Sequence, residues 1–126
     1  MIIVRNLARS FSAALHGIRS TWKSEQSFRI QTLIGAVAVF LMILFPVTKP
    51  EKIILALLIM AVLILELLNS TLERIIDALE PRIHPFAREV KDSMAATVLV
   101  AALGACVIGI FILGPYFLRI LEEILK

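Results

Sequence analysis

Three long apolar segments dominate the 126-residue chain: Leu33–Phe45, Ile53–Leu68 and Met94–Leu118. A helix that crosses a bilayer needs about 20 residues at about 1.5 Å each, since lipid offers its backbone no hydrogen-bond partners. The second segment continues as a helical pattern to Leu79, and the first reaches spanning length if Ile30–Thr32 join it. Hydrophobic residues make up 60% of the chain, against about 45–50% in a soluble domain, and the mean hydropathy is +0.93. A domain this small has too little interior to bury that surplus. The expectation is an all-α membrane protein with one domain over residues 1–126 and spans near 30–47, 53–79 and 93–118.

Residues 1–24 read differently. Val4, Leu7, Phe11, Leu15, Ile18 and Trp22 recur at helical spacing, and Arg5, Arg9, Ser12, His16, Arg19 and Lys23 form a second stripe, about 100° round the helix. Such a helix lies in the membrane interface. Its arginines interrupt any apolar run that would make a cleavable signal. Arg5, Arg9, Arg19, Lys23 and Arg29 join Arg74, Arg82, Arg88 and Lys91 on one side of the membrane. Lys49, Lys52, Arg119 and Lys126 fall on the other. The excess places the N-terminus in the cytoplasm, with Pro81 and Pro85 breaking the helical pattern in a cytoplasmic loop. The net charge of +3 suits anionic headgroups or nucleotide phosphates and is too small to point to nucleic acid. Cys106, the single cysteine, excludes an internal disulfide.

Glu66 is the residue that calls for chemistry. It follows thirteen apolar residues, Ile53 to Leu65, and precedes Leu67 and Leu68. A charge in hydrocarbon costs at least about 2.5–3.5 kcal/mol and marks a functional site by default. On a helix, Asn69, Glu73 and Asp77 lie at about −60°, −20° and +20° from Glu66. The four share one polar stripe that runs about 16 Å toward the cytoplasmic surface. Crowded carboxylates repel unless a cation sits among them, and oxygen-only ligands suit Mg²⁺ arriving with substrate phosphates. Pairing of the stripe to Arg74, Arg82 and Arg88 is the plain structural alternative. Glu25, just before the first span, stands at the level of Glu73 and completes an acidic site between two helices. Lys91 and Asp92 open the third span at that level, offering a cation for phosphate and another oxygen ligand. No Walker-type GxxxxGK[ST], GxGxxG or zinc-spaced His/Cys cluster occurs, and His16 and His84 have no convincing nucleophile nearby.

The stretch Glu66-Leu67-Leu68-Asn69-Ser70-Thr71-Leu72-Glu73-Arg74-Ile75-Ile76-Asp77 resembles the ExxNSxxExxxD signature of the bacterial diacylglycerol kinase/undecaprenol kinase family. His84-Pro85-Phe86-Ala87-Arg88-Glu89-Val90-Lys91-Asp92 resembles its second signature, and Gly17-Ile18-Arg19 and Glu25-Gln26-Ser27-Phe28-Arg29 fit its N-terminal pattern. The resemblance covers essentially the whole chain. It implies a homotrimer of three-span subunits in the bacterial inner membrane, each with an amphipathic surface helix. The implied activity is transfer of phosphate from ATP, with Mg²⁺, to the hydroxyl of diacylglycerol or undecaprenol. Carried over, Glu66 is the catalytic base and Asn69 its helper, while Glu25 and Glu73 hold Mg²⁺. Arg9, Gly17, Glu25, Glu73, Asp77, His84, Lys91 and Asp92 surround the nucleotide. Arg19, Trp22, Glu66 and Ser70 face the lipid. Asn6 and Ala13 depart from residues that some members carry near the nucleotide.

The chemistry agrees with the residues. Phosphoryl transfer needs positioning, charge neutralisation and a base at the attacking hydroxyl, and a lipid hydroxyl rests at the interface. A small proton-coupled carrier, using an intramembrane Glu as relay, is the rival from another class. A purely structural subunit leaves Glu66 unexplained. One subunit is expected to leave the stripe partly open, so that neighbours close it, with Ala56, Ala61 and Ser70 allowing close approach of the second span.

Overall fold

The computed structural model describes residues 2–79 and 85–125, the side chains of 2–4 excepted. Its helices are α1 (Ile2–Ser24), α2 (Gln26–Leu44), α3 (Lys49–Leu79) and α4 (Pro85–Ile124). No strand occurs among the described residues. The chain is an all-α membrane protein: α2, α3 and α4 are each long and apolar enough to cross a bilayer. Outward side chains such as Leu33, Val100, Ile110 and Phe111 are mostly exposed, a surface suited to lipid rather than water.

α1 is the amphipathic element. Leu7, Phe11, Leu15 and Ile18 remain exposed along its apolar side, and only its C-terminal end is tied to the rest. There Thr21 is buried and Trp22 meets Phe28 edge-to-face, with centroids 6.3 Å apart. Arg29 Nη1 donates to the carbonyls of Trp22 and Lys23 at 3.1 and 3.3 Å, supplying donors where the helix leaves them open.

Glu25 alone separates α1 from α2. Its backbone is extended (φ −104°, ψ 116°), yet its N–H still donates to Thr21 O at 2.8 Å. One residue therefore both ends α1 and redirects the chain into α2. α2 and α3 meet closely at Gly35, where a Cβ would stand 3.0 Å from Ile59 Cγ2. A side chain there would require Ile59 to shift by a few tenths of an ångström.

Phe45 is extended, and Pro46 prevents the helix from resuming. Thr48 then begins α3. Its N–H and Oγ1–H both donate to Glu51 Oε2, at 2.9 and 2.6 Å, an arrangement that caps the first turn. Pro50 sits within that turn, where a missing N–H costs nothing. Tyr116 of α4 donates to the same Oε2 at 2.8 Å, and its ring stacks on Phe45 at 6.3 Å. With Met42, Val47 and Leu55 these side chains close that end of the helix bundle.

Two features differ from the sequence expectation. Pro85 does not end a loop but starts α4, since its fixed φ and absent N–H suit a first helical position. Pro81, Arg82 and His84 lie outside the described residues. α4 also continues for 40 residues with Pro115 inside it, about 60 Å against a hydrocarbon thickness of about 30 Å.

Candidate active site

The buried face of α3 reads Leu55, Val62, Glu66 and Ser70, steps of seven and four that keep one side of a helix toward its neighbours. The change from apolar to polar along this face falls at Glu66. Its side chain is buried, at 5% exposure. Among the described residues no hydrogen bond or ion pair reaches it, while Glu25 and Glu73 stand close enough for their charges to act on it.

A polar network surrounds this carboxylate without neutralising it. Asn69 Nδ2 donates to Glu73 Oε1 at 3.2 Å. Asn69 Oδ1 is buried with no donor among the described residues, a state that most buried acceptors avoid. Ser70, 2% exposed, donates to Glu25 Oε1 at 3.5 Å, the outer limit of a hydrogen bond. Ser24 donates to the same oxygen at 3.0 Å.

Sequence reasoning missed what holds Glu25. The fork of Arg74 donates through Nη2 to Ser24 Oγ at 2.8 Å and through Nη1 to Ser20 Oγ at 3.2 Å. Arg74 thus joins α3 to α1 through two serines one turn apart, rather than pairing with the acids of its own helix. The spacing of Ser20 and Ser24 was the available signal; nothing in the sequence showed which helix they would face.

The other expected site residues divide. Lys91 of α4 forms an ion pair with Asp77 of α3, so those two are brought together at the open end of the stripe. Asp92 lines a separate hollow with Arg88, Glu89 and Ser93. Arg9 and Arg19 are exposed on α1, without a hydrogen bond or ion pair to the acids among the described residues. A Cβ at Gly17 would meet nothing within 4 Å. Trp22 packs on Phe28. His84 lies outside the described residues.

One expectation is corrected. Ser70 lies against Glu25 within the chain, not at a helix contact between subunits, and the chain by itself buries Glu66. Glu25 and the end of α1 reach the stripe at Ser70 and Arg74. Asp77, with its side chain 67% exposed, is the member left open.

Among the described residues no three His, Cys, Asp or Glu side chains gather as a closed metal cage. Glu25 and Glu73 supply two hard carboxylates instead. Mg²⁺ is ordinarily held by one or two carboxylates with substrate phosphates and water completing the shell, so the donors present fit that ion.

Among the described residues the site is thus a buried carboxylate without a hydrogen-bond or ion-pair partner, with Glu25 and Glu73 beside it, on a helix long and apolar enough to cross a membrane. Comparisons with known proteins give its class. The prokaryotic diacylglycerol kinase family profile matches residues 12–113. An undecaprenol kinase of Bacillus subtilis is 33% identical over 107 residues, 85% of this chain and 87% of that protein. A diacylglycerol kinase of Synechocystis is 32% identical over 120 residues, 94% of this chain and 69% of its own length. That of Escherichia coli K12 is 29% identical over 101 residues, covering 80% and 83%. The chain belongs to the prokaryotic diacylglycerol kinase family. It is a lipid kinase of a bacterial membrane, an enzyme and not the carrier weighed above.

Proposed function

We propose that the chain transfers the γ-phosphoryl group of ATP to the hydroxyl of diacylglycerol or undecaprenol, with Glu66 as general base. The observation that carries this reading is Glu66 itself, buried beside Glu25 and Glu73 without a hydrogen-bond donor among the described residues. A carboxylate left without donors keeps its lone pairs for an incoming proton.

The lipid hydroxyl approaches from the membrane, and Glu66 takes its proton as the oxygen attacks the γ-phosphorus. The bond from that phosphorus to the bridging oxygen breaks and ADP leaves. Asn69 is held by its donation to Glu73 and offers Oδ1 to orient the hydroxyl. Glu25 and Glu73 would hold Mg²⁺, which supplies neutralisation of phosphate charge when bound. Lys91, now on Asp77, is the cation within reach of the phosphates. The N-terminus and the Asp77 end of α3 face the cytoplasm of the inner membrane, where ATP is found.

Assembly as a trimer belongs to the same reading. It is supported by the open Asp77 end of the stripe, which a neighbouring subunit would cover. Radiolabelled ATP supplied with diacylglycerol or undecaprenol in mixed micelles tests the reaction, and absence of labelled lipid in both overturns it. Mixing Glu66→Gln with Glu25→Ala subunits tests sharing of a site. Recovered activity supports a site built from two chains, and none, in oligomers shown to be mixed, confines it to one.

A further inference from the structure

Glu25 stands at the N-cap position of α2, yet its carboxylate caps nothing there. It turns instead toward two hydroxyls. Ser24 donates to Oε1 at 3.0 Å and Ser70 to the same oxygen at 3.5 Å. Among the described residues Oε2 has no hydrogen bond or ion pair. Glu73 divides in the same way. Asn69 holds its Oε1 at 3.2 Å, and no donor reaches its Oε2 among the described residues. Each carboxylate has one oxygen tethered and one to offer.

The Ser24 hydroxyl carries one proton and has two acceptors in reach, Glu25 Oε1 at 3.0 Å and the Thr21 carbonyl at 3.4 Å. Arg74 Nη2 donates into that hydroxyl's oxygen at 2.8 Å, which polarises it and strengthens its donation onward. Arg74 Nη1, on Ser20 Oγ at 3.2 Å, fixes the plane of the guanidinium, because the two donors belong to one rigid fork. Among the described residues no ion pair joins Arg74 to Glu25. A guanidinium set directly on the carboxylate would engage both oxygens and compete with a metal for them. With a hydroxyl between the two, Arg74 orients Glu25 and leaves its second oxygen open.

We propose that Arg74 is a positioning residue for Glu25, acting through Ser24 to aim one metal ligand. The proposal rests on the reading of Glu25 and Glu73 as Mg²⁺ ligands and adds the side chains that orient the first of them. Partners that orient a ligand change metal affinity about 10- to 100-fold when removed. Ser20 supplies the control. It shares the guanidinium and the α1–α3 contact with Ser24, but makes no hydrogen bond to a carboxylate among the described residues.

The full chain in detergent micelles is titrated with Mn²⁺, a paramagnetic substitute for Mg²⁺ that also suits oxygen donors. Electron paramagnetic resonance reads the bound metal in the presence of a non-hydrolysable ATP analogue, and melting temperature is measured in parallel. Ser24→Ala should weaken Mn²⁺ binding roughly tenfold, and Arg74→Met a few-fold. Adding Arg74→Met to Ser24→Ala should weaken it no further, because both act along one path. Ser20→Ala should keep the parental Mn²⁺ affinity whatever its melting temperature. The Mg²⁺ concentration for half-maximal turnover should follow the same order, with kcat at saturating Mg²⁺ little changed. Parental Mn²⁺ affinity in Ser24→Ala or in Arg74→Met overturns the proposal. So do additive losses in the double variant, or equal losses in Ser20→Ala and Ser24→Ala, which make Arg74 a strap between α1 and α3 and nothing more. Glu25→Ala that binds Mn²⁺ as the parent does defeats the metal-ligand reading instead, a result distinct from these.

Discussion

The start and the middle of α3 treat a carboxylate in opposite ways. At Glu51 one oxygen accepts hydrogen bonds from the Thr48 N–H, the Thr48 hydroxyl and the Tyr116 hydroxyl, which ties the start of α3 to α4. At Glu66, four turns along, the carboxylate is buried and no donor reaches it among the described residues. Its neighbours Glu25 and Glu73 carry the same charge. An acid that serves the fold is surrounded by donors, because an uncompensated buried charge is among the costlier things a fold can hold. An acid kept short of donors persists where the shortage is itself useful, as a place for a proton or a cation to go.

The same substitution at both positions separates the roles. Glu66→Gln should lower turnover by roughly 10² to 10⁴, the contribution of a general base, without lowering thermal stability, since it removes an unpaired buried charge. Glu51→Gln should do the reverse, melting earlier while kcat is kept. Retention of more than about a tenth of kcat by Glu66→Gln, a loss below about 1.4 kcal/mol, removes it as the base. Next in size is Glu73→Ala, which should raise the Mg²⁺ concentration for half-maximal activity roughly tenfold or more. An unchanged Mg²⁺ titration assigns the metal to other ligands. Arg74→Met releases Ser24 and with it the orientation of Glu25, so the KM for ATP-Mg should rise a few-fold with kcat little changed. A fall in kcat alone would give Arg74 a different task. The smallest effect belongs to Thr48→Ala, which loses a cap and should lower the melting temperature by a few degrees at constant activity. Lost activity there would mean that the far end of α3 reports to the site.

Hydrophobic length and period determined the architecture from the sequence alone: an amphipathic first helix, three apolar ones and an acid stripe on the second span. These follow from local rules, since helix period and the cost of charge in hydrocarbon need no knowledge of neighbours. Glu66 and its stripe were legible for that reason. Tertiary structure decided which partners each polar group received. Arg74 reads in sequence as a counter-ion for its own helix, yet it spans to Ser20 and Ser24. Ser70 reads as a small residue for subunit contact, yet it faces Glu25. The single residue between α1 and α2 makes the difference, because its extended backbone swings the end of α1 over the polar face of α3. Helix periodicity fixes which side chains share a face; only the packing of helices fixes what that face meets.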